Sequence, residues 1–204
     1  TWREQKKNEI THERLAEIML ELQERGCHNI GFVSPTHFAP QMACAILIAA
    51  RQGLTLPIVY NTNAYDSVEV LRLLDGIVDV YLPDLKYADS DAGFQYSKIS
   101  DYKEHARAAI KEMHRQMGDG LVFDEHGLLK RGLMIRLLVL PNDIAGIAEN
   151  LRWIREELSP KTAISLMAQY YATNKAATDE RYTLLSRRIS KGEWFEAVSL
   201  LDEL

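Results

Sequence analysis

Cysteine is scarce in this chain of 204 residues: Cys27 and Cys44 are its only two. Two thiols build no disulfide framework. They stand at no ligand spacing, and thiolate-ligated zinc or iron–sulfur centres usually need three or four ligands. Basic runs are equally short, none longer than the pairs Lys6-Lys7 and Arg187-Arg188, and 24 basic against 29 acidic side chains leave a formal charge of −5. This excludes the electrostatic footprint of a binder of nucleic acid or of an anionic membrane surface. The longest apolar stretch, Ala43 to Ala50, falls far short of the roughly 20 residues that span a bilayer. The chain opens Thr1-Trp2-Arg3-Glu4, without an initiator Met and without the apolar segment of a secretory signal, which reads as a processed or excised piece of a cytoplasmic protein.

What is present is a globular composition, 47% hydrophobic and 26% charged, in one domain's length of chain, 1–204. Strand-type apolar runs alternate with helix-period segments, the pattern of an α/β fold whose parallel strands are joined by crossover helices. The first helix carries Leu15, Ile18, Met19 and Leu22 behind a cap at Thr11 and stops at Gly26; Asn29 to Ser34 is the first strand. Pro40 suits the first turn of a helix running through Met42, Ala45, Ile46 and Ala49 to Gly53, and Leu56 to Asn61 is the second strand. Asp66 or Ser67 caps a third helix, and Asp75-Gly76 turns into the third strand, Ile77 to Leu82. Residues 88–100 read as irregular, followed by a helix with a capping pair of Asp101 and Glu104, then a small hairpin through 121–129. The fourth strand is Leu133 to Leu140, a helix follows from Asp143, and the fifth strand is Ala163 to Ala168; Ser190 and Glu193 form a capping box before the last helix. Residues 88–130 count as an insertion within the one domain, and the near-continuous apolarity of the third and fourth strands predicts cover on both faces.

In such folds chemistry sits at the carboxyl ends of the strands. Those ends carry Ser34-Pro35-Thr36-His37, Asn61-Thr62-Asn63, Asp84-Leu85-Lys86, Pro141-Asn142 and Gln169-Tyr170-Tyr171, with Arg136 inside the fourth strand. Alternation puts Asp84 and Lys86 on one side and Leu85 on the other. Each has an architectural alternative: Asp84 and Lys86 as a structural ion pair, Arg136 as its partner, Asn61 and Asn63 as loop caps, His37 as a loop donor.

The stretches FVSPTHFAPQ (Phe32 to Gln41), IVYNTNAY (Ile58 to Tyr65), VYLPDLKY (Val80 to Tyr87), MIRLLVLPN (Met134 to Asn142) and SLMAQY (Ser165 to Tyr170) resemble, in this order, those of the activating enzymes of glycyl radical enzymes. These are radical S-adenosylmethionine (SAM) proteins similar to pyruvate formate-lyase activating enzyme, and the resemblance covers residues 12–200. It implies a partial TIM-type (β/α) barrel of six strands, its first strand absent here, with SAM held across the strand tops. The family's Gly-Gly-Glu-Pro stretch is replaced by Ser34-Pro35-Thr36-His37, so contacts to the SAM amino group fall to Ser34, Thr36 or backbone carbonyls. Asn61 replaces a family Asp, Ala64 a Gly, and Gln169 a frequent His; Asn63 completes the second loop. Asp84 and Lys86 match directly, toward the methionyl carboxylate or ribose, and Arg136 matches an arginine suited to a carboxylate fork. The cluster-binding Cys-x3-Cys-x2-Cys loop has no counterpart, so the [4Fe-4S] cluster, reductive SAM cleavage and hydrogen abstraction from a glycyl radical enzyme or another protein substrate are expected of a full-length form only. Two other readings stand beside this one. One is a small β/α-barrel lyase with Lys86 as Schiff base, its pKa lowered by burial and by Arg136. The other is a non-catalytic remnant that binds a partner along the open barrel edge.

Overall fold

The structure is a computed structural model and describes residues 9–203. Thr11 caps helix α1 (His12–Glu24) by accepting the Arg14 N–H at 3.1 Å. Strand β1 (Ile30–Val33) follows, then a 3₁₀ turn over Thr36–Phe38 and α2 (Ala39–Arg51), with Pro40 in its first turn, where a missing N–H costs nothing. Strand β2 is Ile58–Thr62, α3 is Val68–Leu73 and β3 is Val80–Pro83. The cap of α3 is Ser67, which accepts the Val70 N–H. Asp66 instead turns into the core.

The next interval corrects the sequence reading. Residues expected to be irregular form a single turn, α4 (Ser90–Ala92), that widens into a π-helical turn over Gly93–Ser97. Helix α5 (Tyr102–Met117) begins after Asp101, but no capping pair forms. The Asp101 carboxylate accepts from the Tyr65 hydroxyl at 2.8 Å, and Glu104 accepts from the Ser90 hydroxyl, so tertiary partners outcompete the local cap. The small hairpin and the fourth strand are continuous: β4 (Leu121–Phe123) folds antiparallel onto β5 (Leu129–Leu138), one strand of ten residues. Helix α5 is thus the ordinary crossover from β3 to its parallel neighbour β5, and only α4, the π turn and β4 are additions to the unit. A 3₁₀ turn occupies Pro141–Asp143, so α6 (Ile147–Glu157) starts later than expected; then come β6 (Ala163–Met167), α7 (Lys175–Thr178) and α8 (Lys191–Asp202). The capping box before α8 is present, Ser190 and Glu193 each bonding the other's backbone N–H.

The sheet is parallel except for β4, and its order runs β1-β2-β3-β5-β6 without reversal. Strands β4 and β6 share one edge of β5, β4 along its first half and β6 along its second. Right-handed crossovers in an unreversed order place every connecting helix on the same face. Burial agrees. Tyr60, Tyr81, Ile135 and Leu137 are fully buried and pack with Met42, Ile46, Leu71, Ile110, Met113, Leu151 and Ile154 of the helices. Of the residues of opposite parity, Val80 at the start of β3 is buried, but those from Gly31 and Val33 through Asn61, Leu82 and Met134 to Ser165 and Met167 are half-buried or exposed, Val33 to 73%. Cover on both faces, expected from the apolar strands, is therefore corrected: one face of the sheet is open among the described residues. Nor is any described helix long and apolar enough to cross a membrane.

Candidate functional site

Parallel pairing continues past the regular strands and brings their carboxyl ends level. The Asp84 N–H donates to Thr62 O at 2.8 Å, the Leu85 N–H to Arg136 O at 3.0 Å and the Ser34 N–H to Asn61 O at 2.7 Å. Asp84 lies opposite Arg136 across an isolated bridge, and Arg136 lies opposite Ser165 on β6. Side chains of like parity therefore share the open face at one height.

Four of the expected residues meet there. Arg136 Nη2 donates to Asn61 Oδ1 at 2.6 Å and also lies 2.6 Å from Asp84 Oδ1. The second contact is an ion pair rather than an aligned hydrogen bond: Asp84 Oδ1 is buried without one, and so is the Arg136 Nε–H. Lys86 Nζ donates to the other carboxylate oxygen, Oδ2, at 3.1 Å, and Leu85 between them is buried on the helix side, as alternation requires. The side chains of Asp84 and Arg136 are 24% and 23% exposed and that of Lys86 40%, so the group is accessible from the open face. The architectural pairing of Arg136 with Asp84 is thus real, and the two atoms it leaves without an aligned hydrogen bond, Asp84 Oδ1 and Arg136 Nε, are themselves buried.

The other expected residues do not join this group. Asn63 Oδ1 accepts the Tyr65 N–H at 3.0 Å in a turn of its own, an Asx geometry that shapes the loop. Thr36 is half-buried, and its hydroxyl bears on the Tyr60 phenol, on the helix side of the sheet. Ser34 is exposed and takes a left-handed backbone (φ 53°), a conformation more usual for glycine. Gln169 reaches only Met167 Sδ, at 3.7 Å. The His37 ring lies tilted against Phe38, with ring centroids 4.3 Å apart. Ala64, in the position of a family glycine, also has a positive φ, 66°.

Two residues that support the site carry no sequence motif. Asp66 is 4% exposed and accepts from the Tyr60 hydroxyl at 2.9 Å and from the Thr62 hydroxyl at 2.5 Å; Thr62 Oγ1 in turn accepts the Ala64 N–H. This network holds the loop after β2, and burial together with the Asp66 carboxylate pushes the Tyr60 phenol well above the usual tyrosine range. Tyr102, on the first turn of α5, stands behind the Asp84–Lys86 loop with its hydroxyl among three backbone groups. Tyr102 reaches partners 16 to 39 positions away, which leaves a linear pattern nothing to mark, and Asp66, though close to Tyr60 and Thr62, reads in sequence as a helix cap. The carboxylate shifted upward by burial, Asp79, is at the other end of the sheet, where it accepts the Ile58 N–H at 2.8 Å and ties β3 to β2. That is a structural use.

No family model matches the chain. Over 177 residues it is 29% identical to the uncharacterized protein MJ0674 of Methanocaldococcus jannaschii, a similarity that covers 86% of this chain and 46% of that protein. The chain thus spans about half the length of that relative. The relative's name assigns no chemistry, so a functional reading rests on the geometry above.

That geometry suits a small polar ligand with a carboxylate or vicinal hydroxyls, presented to Arg136, Asp84 and Lys86 from the open face. It does not suit an iron–sulfur cluster. Cys27 precedes β1, at the end of the sheet remote from the site, and Cys44 is exposed on α2. Among the described residues no three His, Cys, Asp or Glu side chains converge as a metal-binding group.

Proposed function

We propose that this chain is the SAM-holding part of a radical SAM protein of the glycyl radical enzyme activase type, folded as a partial (β/α) barrel. What supports the barrel reading is the unreversed strand order with helices on one face, since a doubly wound sheet reverses its order and is covered on both. The observation that carries the ligand reading is the convergence of Asn61, Asp84, Lys86 and Arg136 from three strands, with the charged side chains partly exposed on the open face. In the bound state Arg136 and Lys86 would present positive charge to the methionyl carboxylate, and Asp84 would accept from the ammonium or a ribose hydroxyl. Asn61 keeps the guanidinium in the plane of the site.

In the whole protein, SAM held by Arg136, Asp84 and Lys86 would supply the chemistry for hydrogen abstraction from a protein partner such as a glycyl radical enzyme. The cluster that this chemistry needs finds no ligand set in these 204 residues, so its thiolates are assigned to polypeptide outside them, and no cluster step is assigned to this chain. A Schiff-base role for Lys86 draws less support, because its side chain is 40% exposed and ion-paired where such a lysine needs a dry pocket.

Calorimetric titration of the chain with SAM tests the reading. Binding is expected, weakened about tenfold or more by Arg136→Ala or by Asp84→Asn, in line with the loss of a hydrogen bond to a charged group. No heat at millimolar SAM, or equal affinity in both variants, overturns it.

A further inference from the structure

The Tyr102 hydroxyl touches three backbone groups in two loops. It lies 2.9 Å from Asn63 O, 2.9 Å from Asp84 O and 2.9 Å from Lys86 N, whose N–H it accepts. A phenol has one proton and can accept through its oxygen, so it donates to one of the two carbonyls at a time while holding the amide. Burial keeps that proton on, pushing the group above the ordinary tyrosine range. The ring is 2% exposed and fixed from two sides, stacked on Tyr65 at 6.3 Å and edge-on to Tyr87 at 5.5 Å. Beneath it runs the π-helical turn, where Gly93 leaves the necessary room: a Cβ there would lie 3.1 Å from Tyr102 Cβ and 3.0 Å from Ile99 O.

We propose that Tyr102 is a positioning residue that pins the loop just beyond Asn61 of β2, at Asn63, and the loop after β3, which carries Asp84 and Lys86, to one common point behind the site. Beyond the β2–β3 ladder, the spacing of the two banks of ligand-facing side chains is then braced by a single hydroxyl at the first residue of α5. The proposal rests on the ligand reading above for its functional consequence, while its structural core stands without it.

Amide hydrogen exchange followed by NMR on the labelled chain, together with SAM titration, tests both parts. In Tyr102→Phe the Lys86 amide loses its acceptor and is expected to exchange about tenfold faster or more, while the Ser34 amide, bonded to Asn61 O away from Tyr102, keeps its rate. SAM affinity falls about tenfold, as one lost hydrogen bond in the supporting network allows. Tyr65→Phe, which removes a hydroxyl from the same aromatic group but leaves the three contacts intact, changes neither. An unchanged Lys86 rate, or equal acceleration at Ser34 and Lys86, overturns the proposal, the latter by showing a role in general stability only. Unchanged SAM affinity in Tyr102→Phe beside a binding wild type also overturns it. A wild type that does not bind SAM sinks the ligand reading alone, and the exchange pattern still decides for or against Tyr102. Should Tyr102→Phe not fold, Gly93→Ala takes its place: it retains the hydroxyl but displaces the ring, and must show the same selective exchange at Lys86.

Discussion

Replacing Asp66 by alanine is expected to be among the most damaging single changes in the molecule. The carboxylate is 4% exposed and serves two hydroxyls that are themselves buried, Tyr60 at 0% and Thr62 at 1%. Hydrogen bonds to a charged acceptor contribute about 1.5–3 kcal/mol each, and a buried hydroxyl left without a partner costs about 1–3 kcal/mol. These overlap rather than add, and a loss of about 3–5 kcal/mol results. For a chain of this size that lowers the melting temperature by roughly 8–15 °C. In urea, at a slope of about 2–3 kcal/mol/M, the midpoint falls by about 1–2 M with the slope unchanged. The structure also dictates a coupling. In a Tyr60→Phe background one orphaned hydroxyl is already gone, so Asp66→Ala should cost about 1–2 kcal/mol less there than in the wild type. A midpoint within about 0.3 M of wild type, or equal costs in the two backgrounds, would refute this account of the loop after β2.

The remaining predictions concern acid stability, backbone and metal. Glu193 accepts from Arg187 and from the N–H groups of Ser190 and Asn142, which hold its carboxyl far below the ordinary value of 4.5. A depressed folded-state pKa means stability that is fully present above about pH 4.5 and is lost as the pH falls below it, so Glu193→Gln should flatten the decline in melting temperature between pH 5 and 3; equal slopes would contradict it. Gly146→Ala should destabilise more than Gly26→Ala, as urea midpoints would show. Both have positive φ, 64° and 78°, worth about 1–2 kcal/mol, but only at Gly146 would the new Cβ meet another atom, Ala88 Cβ at 2.7 Å. Anaerobic reconstitution of this chain with iron and sulfide should yield no stoichiometric cluster absorbance, and four irons bound per chain would overturn the assignment of the thiolates elsewhere.

Local physics made much of the fold legible. Thr11, Pro40 and the Ser190–Glu193 box act on their own helix ends, so the residues that signal these boundaries also make them. Asp84 and Lys86 were readable as neighbours because strand alternation alone puts them side by side, and the 3.1 Å contact follows. Asn61 at a strand end and Arg136 as a charge inside a strand each stood out, but their 2.6 Å bond joins positions 75 apart and depends on register across two intervening ladders. Asp101 and Glu104 match a capping pattern and still do not cap, because Tyr65 and Ser90 reach them first. Residues 88–100 look irregular since their helical turns are short and are held by packing around Gly93 and Tyr102 rather than by periodicity. The open face escaped the reading because Val, Leu and Met there are as apolar as their buried counterparts; composition cannot distinguish a covered face from one that awaits a ligand or a neighbour.

The unreversed strand order has a kinetic consequence. In a sheet that reverses direction, a late strand must insert beside an early one, and long-range closure slows folding. Here each βα unit docks onto the outer edge of the one made just before it, so the sheet can grow in step with synthesis from the ribosome. The longest closure lies between Pro83 and Leu129, where α4, the π turn, α5 and β4 intervene. Loop entropy alone charges little for that length, about 0.6 kcal/mol per doubling, so the slow event there is the seating of α5 with Tyr102 beneath two loops at once. The slowest step in building the sheet would then also be the one that sets the geometry of the site.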